Sequence, residues 1–194
     1  QTAIGVTIGT GIGGGLILNG RVHHGAADCA GEIGHVTIEL NGRKCGCGNY
    51  GCVEAYASGP AIALRAVEQL PDAAPTQILD LAGGDPTRVT AQTVYHAAAL
   101  GDALANEVVR DTARYLGAGI ANLLNIFNPE LVVIMGGVTQ AGDRLFEPLR
   151  REVARRAFRP AVESCRIVPG TLGGLAGVFG AARAFLDQQA DAGL

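Results

Sequence analysis

The order of hydrophobic patterns along this 194-residue chain predicts a layered fold of the α/β or α+β class. Three observations carry that reading. The first 58 residues combine alternating apolar positions with a hairpin signal. A long apolar stripe at helical spacing runs from Leu104 to Phe127. A continuous apolar, β-branched run, Leu131 to Met135, follows it directly.

In chain order, Ile4, Val6 and Ile8 alternate with small or polar residues, the period of a half-buried strand. Leu16-Ile17-Leu18, Asn19-Gly20 and Arg21-Val22 read as a hairpin, because Asn-Gly satisfies the positive φ values of a type I′ turn. A further strand is expected over His35 to Leu40. From Glu54 the pattern turns helical, and one helix running through Ala61 to Leu70 should end before Pro71. Residues 71–90 hold three prolines and Gly83-Gly84, and read as a surface insert around a short helix near Thr76 to Leu81. Thr90 suits the cap of a helix over Ala91 to Leu100. Gly101-Asp102 punctuates, and the long helix that follows should bury Leu104, Val108, Leu116, Ile120, Leu123, Leu124 and Phe127 until Asn128-Pro129 stops it. Leu131 to Met135 is expected to be buried on both faces. A helix over Asp143 to Ala157, a short strand over Arg166 to Val168 and a Gly/Ala-rich helix from Leu175 to about Gln188 complete the chain. One domain, or two small ones, is the expected organisation at this length.

Composition excludes several classes of function. Fifteen Lys+Arg stand against 18 Asp+Glu, and a net charge of -3 would repel a phosphate backbone, so this chain is not expected to bind nucleic acid. At 17% charged and 48% hydrophobic residues it is no disordered chain. The apolar runs are far shorter than a membrane span. Gln1 is followed at once by strand-like sequence, with neither a basic segment nor a long apolar one, so no signal peptide is read and the opening resembles the interior of a larger protein. The 29 glycines are about twice the usual share and have no collagen-like period. Many of them should serve tight turns, close approaches and anion loops.

The densest glycine run is Gly9-Thr10-Gly11-Ile12-Gly13-Gly14-Gly15. Gly9, Gly11 and Gly14 match G-x-G-x-x-G, but a dinucleotide site needs a helix next, and an Asn-Gly hairpin follows instead. A Walker A loop needs Gly-Lys-Ser/Thr, whereas the single lysine, Lys44, precedes a cysteine. Strand, glycine loop with threonine, then strand reads as a phosphate-binding hairpin whose successive N–H groups form a concave anion site. A tight turn without ligand is the plainer alternative. Five glycines in seven positions exceed what one turn needs, since each costs ordering entropy.

Three of the five cysteines fall within Cys45-Gly46-Cys47-Gly48-Asn49-Tyr50-Gly51-Cys52, and His35 lies ten residues earlier. Together they make a Cys3His set suited to tetrahedral structural zinc. A disulfide would be strained in Cys-x-Cys and would leave one thiol over. Cys29 and Cys165 stand apart and read as ordinary thiols, and the lack of a disulfide framework points to a reducing, cytoplasmic compartment. Glu32, in Gly31-Glu32-Ile33-Gly34-His35, and Glu54, two residues after Cys52, flank the cluster. Carboxylates beside an imidazole could grip vicinal sugar hydroxyls. Glu54 could equally complement a helix dipole, and Glu32 could be a solvated loop residue. Arg150, Arg151, Arg155, Arg156 and Arg159 read as a solvated helix end, not an anion footprint. His23, His24 and His96 read as surface or core histidines.

At this point the residues resemble a family. GTGIGGG with its hairpin, GEIGH and CGCGNYGCVEAYAS are similar to the ROK family of bacterial sugar kinases and sugar-responsive repressors, and Gly136-Gly137-Val138 and the last helix extend the likeness along the chain. The resemblance implies an actin-like (ribonuclease H-like) ATPase fold of the hexokinase type, with two lobes and a structural zinc loop. It implies that Thr10, Gly11, Ile12, Gly13, Gly14 and Gly15 hold the phosphates of Mg-ATP, with Gly136 and Gly137 near the adenosine. It further implies zinc on His35, Cys45, Cys47 and Cys52, a hexose on Glu32, His35 and Glu54, and a homodimer. The family's Asp-x-Gly-x-Thr loop and its Asn-Asp pair, whose aspartate is the catalytic base, do not occur here. Residues 1–194 would therefore be the C-terminal lobe, inactive alone, of a glucokinase-like hexose kinase or of a sugar-sensing repressor. The complete glycine loop favours the kinase. A zinc-stabilised dimerisation module without ligand is the third reading.

Overall fold

In the computed structural model, which describes residues 1–73 and 75–191, strands Ala3–Ile8 (β1), Ile12–Leu18 (β2) and Arg21–Val22 (β3) form an antiparallel meander. Leu131–Met135 (β4) and Arg166–Pro169 (β5) extend it in parallel, giving a five-stranded sheet of order β3-β2-β1-β4-β5. Asn19 and Gly20 have φ of 53° and 80°, the geometry that the Asn-Gly hairpin requires. Register places Leu16, Ile4, Val132 and Ile167 in one row across the sheet, all buried. Ile8 pairs with Ile12 and Val6 with Ile134, so a single apolar face is built from alternate residues of four strands.

The helices are Glu54–Ala57 (α1), Gly59–Gln69 (α2), Gln77–Leu81 (α3), Ala91–Ala99 (α4), Ala103–Phe127 (α5), Asp143–Arg156 (α6), Arg159–Ser164 (α7) and Ala176–Asp191 (α8). The stripe of α5 and the Leu145, Phe146, Leu149 and Val153 side chains of α6 join the apolar face of the sheet in one core. Asp102 caps α5 through Ala105 N–H (2.8 Å), and Asn128, at φ 43°, closes its other end in the left-handed region. Among the described residues, no helix is long and apolar enough to cross a membrane.

The structure corrects four expectations. Residues 35–40 form no strand: a 3-10 turn occupies Ile33–His35, followed by one isolated bridge between Thr37 and Cys52. The partner there is a short cysteine loop, which offers no continuous edge for a ladder. The expected single helix from Glu54 breaks at Ser58, whose extended backbone and side chain cap α2 through Ala61 N–H, with Pro60 in the first turn. β4 buries Val132 and Ile134 fully but leaves Leu131, Val133 and Met135 only half-buried, so one of its faces is covered and not both. The α8 side chains Val178, Phe179, Phe185 and Leu186 are exposed and do not cover that second face. Finally α7, unread in the sequence, follows α6 after a break at Ala157 and Phe158 and has Pro160 in its first turn.

Candidate functional site

The turn between β1 and β2 is held from outside. Gly59 N–H donates to Gly9 O (2.8 Å) and Ile12 N–H donates to Glu54 Oε2 (2.9 Å), so the short segment carrying α1 grips both ends of the turn. Gly9 N–H closes on Gly11 O (2.9 Å). The N–H groups of Thr10 and Gly11 have no partner among the described residues, and they stand at the apex. Successive free amides in a turn form an anion site.

The 3-10 turn bearing Glu32 and His35 lies directly on this hairpin. A Cβ at Gly34 would collide with the Ile12 carbonyl, so only glycine lets the turn come so close. Gly136 makes the corresponding approach from β4: its φ is +104°, and a Cβ there would strike the Ile8 carbonyl. As a result Thr10, Gly11, Ile12 and Gly13 share one cleft of about 590 Å³ with Glu32, His35, Glu54, Gly136 and Gly137. Gly14 and Gly15 lie outside it within β2, Gly14 beneath Ile33. The Ile12 amide is engaged by Glu54, which leaves Thr10 and Gly11 as the available donors.

A second cavity of about 1000 Å³ adjoins the first and shares Ile8, Gly9, Thr10 and Gly137 with it. Pro60, Ala63, Val138 and Ala141 give it an apolar wall; beside Thr10, Thr90 and Tyr95, its polar members are Gln92, His96, Gln140 and Arg144. Among the described residues no carboxylate lines it, and Arg144 is its charged member. Sequence reading missed these four polar residues. Gln92 and His96 are four apart on α4, but nothing in that spacing marks them off from any exposed helix face.

His35, Cys45, Cys47 and Cys52 bring their ligand atoms within 4.8 Å of one another. Cys45 Sγ lies 3.7 Å from His35 Nδ1, and Cys47 Sγ lies 3.8 Å from Cys52 Sγ. A tetrahedral zinc with bonds of about 2.3 Å has sulfur–sulfur edges of about 3.8 Å, so the set fits that ion. Burial pushes the Cys52 thiol up to about 12 and raises Cys45, whereas a backbone N–H at Asn49 lowers Cys47. A dication is what would let three crowded sulfurs all be thiolates. Backbone hydrogen bonds also shape the loop: Cys45 N–H donates to Asn49 O (2.8 Å) and Gly48 N–H to Cys45 O (3.0 Å). With Nδ1 of His35 turned to the cysteines, its Nε2 faces Glu32, 3.8 Å from Oε2. One imidazole can therefore serve a metal on one side and the cleft on the other.

The loop is tied to the helices by Tyr56, whose hydroxyl accepts from Arg43 N–H (2.7 Å) and whose ring stacks on Tyr115. Arg43 also pairs with Glu68, which raises the arginine and lowers the carboxyl. Of the other sequence candidates, His96 reaches the larger cavity and His24 pairs with Asp28 at 3.5 Å. Four arginines of the run are occupied locally: Arg150 donates to Ile167 O, Arg155 and Arg156 pair with Glu152, and Arg159 pairs with Glu163. All five thiols are unpaired.

The ROK family model matches residues 1–188. The chain belongs to the ROK family. It is 43% identical over 176 residues to the glucokinase of Halalkalibacterium halodurans, covering 90% of this chain and 53% of that protein. It is 32% identical over 186 residues to the xylose repressor of Bacillus subtilis, covering 96% of this chain and 44% of the repressor. A solved ROK glucokinase of Streptomyces griseus, in complex with glucose and AMPPNP, superposes with a TM-score of 0.86 at 33% identity, covering 94% of this chain and 60% of that one. The fold is thus the actin-like ATPase fold of ROK sugar kinases, with its mixed sheet. The chain spans about half the length of the curated relatives it matches.

Proposed function

We propose that this chain is the C-terminal lobe of an ATP-dependent hexose kinase, with glucose phosphorylated at its 6-hydroxyl. The observation that carries the reading is a juxtaposition: the free amides of Thr10 and Gly11 share one cleft with Glu32, His35 and Glu54. An anion cradle beside sugar-gripping groups is what phosphoryl transfer to a hydroxyl needs. In this reading the amides of Thr10 and Gly11 receive the γ- and β-phosphates of Mg-ATP, and the adenosine enters the adjoining 1000 Å³ cavity past Gly136 and Gly137. Glu32, the Nε2 side of His35 and Glu54 orient the sugar. Zinc on His35, Cys45, Cys47 and Cys52 would fix the imidazole and the loop without entering the reaction. The sugar oxygen attacks the γ-phosphorus, its proton passes to an aspartate of the other lobe, and ADP leaves. The exposed apolar side chains of α8 and the half-open face of the sheet support a second lobe, because a surface of that kind is normally covered.

The similarity to the xylose repressor supports a second reading, in which the same sugar pocket sets the state of a DNA-binding segment. The two separate on the full-length protein, by coupled assay of glucose 6-phosphate formed from glucose and Mg-ATP, alongside binding of promoter DNA with and without sugar. Turnover supports the kinase. Its absence, with sugar-dependent DNA release, supports the repressor and overturns our first reading.

A further inference from the structure

We propose that Glu54 is a positioning residue for the phosphate hairpin, in addition to any contact with sugar. The inference rests on the kinase reading above and assigns to this carboxylate a role in the nucleotide half of the site. Three observations meet on it. Oε2 accepts the Ile12 N–H at 2.9 Å, across 42 residues of chain. A Cβ at Gly11 would lie 2.6 Å from that same oxygen, so the turn is drawn against the carboxylate as closely as a glycine backbone permits. Gly59 N–H, from the same segment, holds Gly9 O at 2.8 Å, so the turn is fastened at both ends and its Thr10 and Gly11 N–H groups are left without a partner among the described residues.

Without the acceptor at Ile12, one end of a glycine-rich turn is released. Glycine gives such a turn many alternative conformations, and the two apex amides would then have to be ordered by the incoming phosphate at its own expense. The carboxylate thus contributes to nucleotide affinity although it carries the same sign of charge as the ligand. Its other oxygen, Oε1, points toward Cys45 Sγ at 3.6 Å, which places the hairpin, the cysteine loop and the sugar cleft on one side chain.

The opposing effect is electrostatic: removing a negative charge near the phosphates favours binding, and freeing Ile12 N–H adds a donor. The experiment therefore compares two neutral variants in the full-length protein. Glu54→Gln keeps an oxygen for Ile12 N–H, and Glu54→Ala does not; Glu54→Leu, close to Gln in volume and without an acceptor, stands in if the alanine variant is unfolded by circular dichroism. The probe is Mg-AMPPNP in titration calorimetry with no sugar present, where a residue that touched only sugar would have no effect. Glu54→Gln should bind the nucleotide about fivefold more tightly than Glu54→Ala or Glu54→Leu, the factor expected for one net hydrogen bond. Equal affinities, or tighter binding by the alanine variant, overturn the positioning role and leave the kinase reading standing. A wild-type protein that binds no nucleotide overturns both.

Discussion

Gly34→Ala isolates the contact that brings the two halves of the cleft together. The substitution adds one methyl group at a position with no unusual φ, so backbone strain is not at issue and the effect is steric. The new Cβ would fall within 3.0 Å of the Ile12 carbonyl carbon and of Ile12 Cβ, and nearer still to the carbonyl oxygen. Carbon–oxygen contacts settle at about 3.3–3.6 Å, so the 3-10 turn must retreat from the hairpin by roughly 1 Å. Ile12 cannot give way instead, because it is buried in β2 and paired with Ile8. Overpacking of this kind costs about 1–3 kcal/mol, a fall in Tm of roughly 2–12 °C for a domain of this size. The larger consequence is local, since Glu32 and His35 flank the methyl group and move with it. A displacement near 1 Å in a positioned constellation costs on the order of 100-fold. The full-length Gly34→Ala protein should therefore bind glucose about 10- to 100-fold more weakly by calorimetry and hold zinc more weakly in a chelator competition, while remaining folded at 25 °C. Sugar and zinc affinities both within twofold of wild type would refute the claim that the approach of this turn to the hairpin builds the site.

Other consequences can be measured separately. The purified protein should carry one zinc per chain by elemental analysis; at free zinc about 100 times Kd the ion adds roughly 2.7 kcal/mol, so a chelator should lower Tm by about 5–11 °C, and a Tm indifferent to chelation would count against the site. Asp102 accepts from Ala105 N–H, Gln77 N–H (2.7 Å) and the Thr76 hydroxyl (2.8 Å), so Asp102→Ala should destabilise by about 2–4 kcal/mol in chemical denaturation. Burial pushes the Asp102 carboxyl up, but those donors outweigh it and hold it below its ordinary value. Its contribution is then complete above the unfolded-state value, near pH 4, and is lost as pH falls through the folded value, so the gap between wild type and variant should narrow on acidification. A gap that widens in acid would contradict that sign. The isolated 194-residue chain should show no glucose-dependent ADP release, and robust turnover by it would place a catalytic base within these residues.

Much of the fold was legible because its signals are local. The alternation of Ile4, Val6 and Ile8, the Asn19-Gly20 turn and the stripe of α5 each declare themselves within a dozen or so residues, and the observed elements follow them. Segments whose state depends on a distant partner were misread. Residues 35–40 have strand-like composition, but their neighbour is a loop wound around three cysteines, and a 3-10 turn with a single bridge is what that neighbour allows. β4 has the composition of a doubly covered strand, yet its second face is half-open, and composition cannot tell which face a helix will reach.

The candidate site divides along the same line. Cys45, Cys47 and Cys52 are visible as a set because chelation by a short loop demands close spacing, and His35 could be added because imidazole completes the tetrahedron. The glycine run announces a turn with donors to spare, but not which of its amides stay free. That choice is made by Glu54 and Gly59, about 45 residues downstream, which consume the ends of the turn and leave its apex. The residues that select the donors are thus sequence-remote from the donors themselves. Glu54 could be read beforehand as a helix-dipole residue or as a sugar ligand, and the structure adds a third partner, a backbone amide, that neither reading contained. A carboxylate with two oxygens holds that amide through Oε2 and faces the cysteine loop through Oε1, so a change at this one position should disturb both the hairpin and the loop unless the replacement keeps an oxygen where Oε2 now stands.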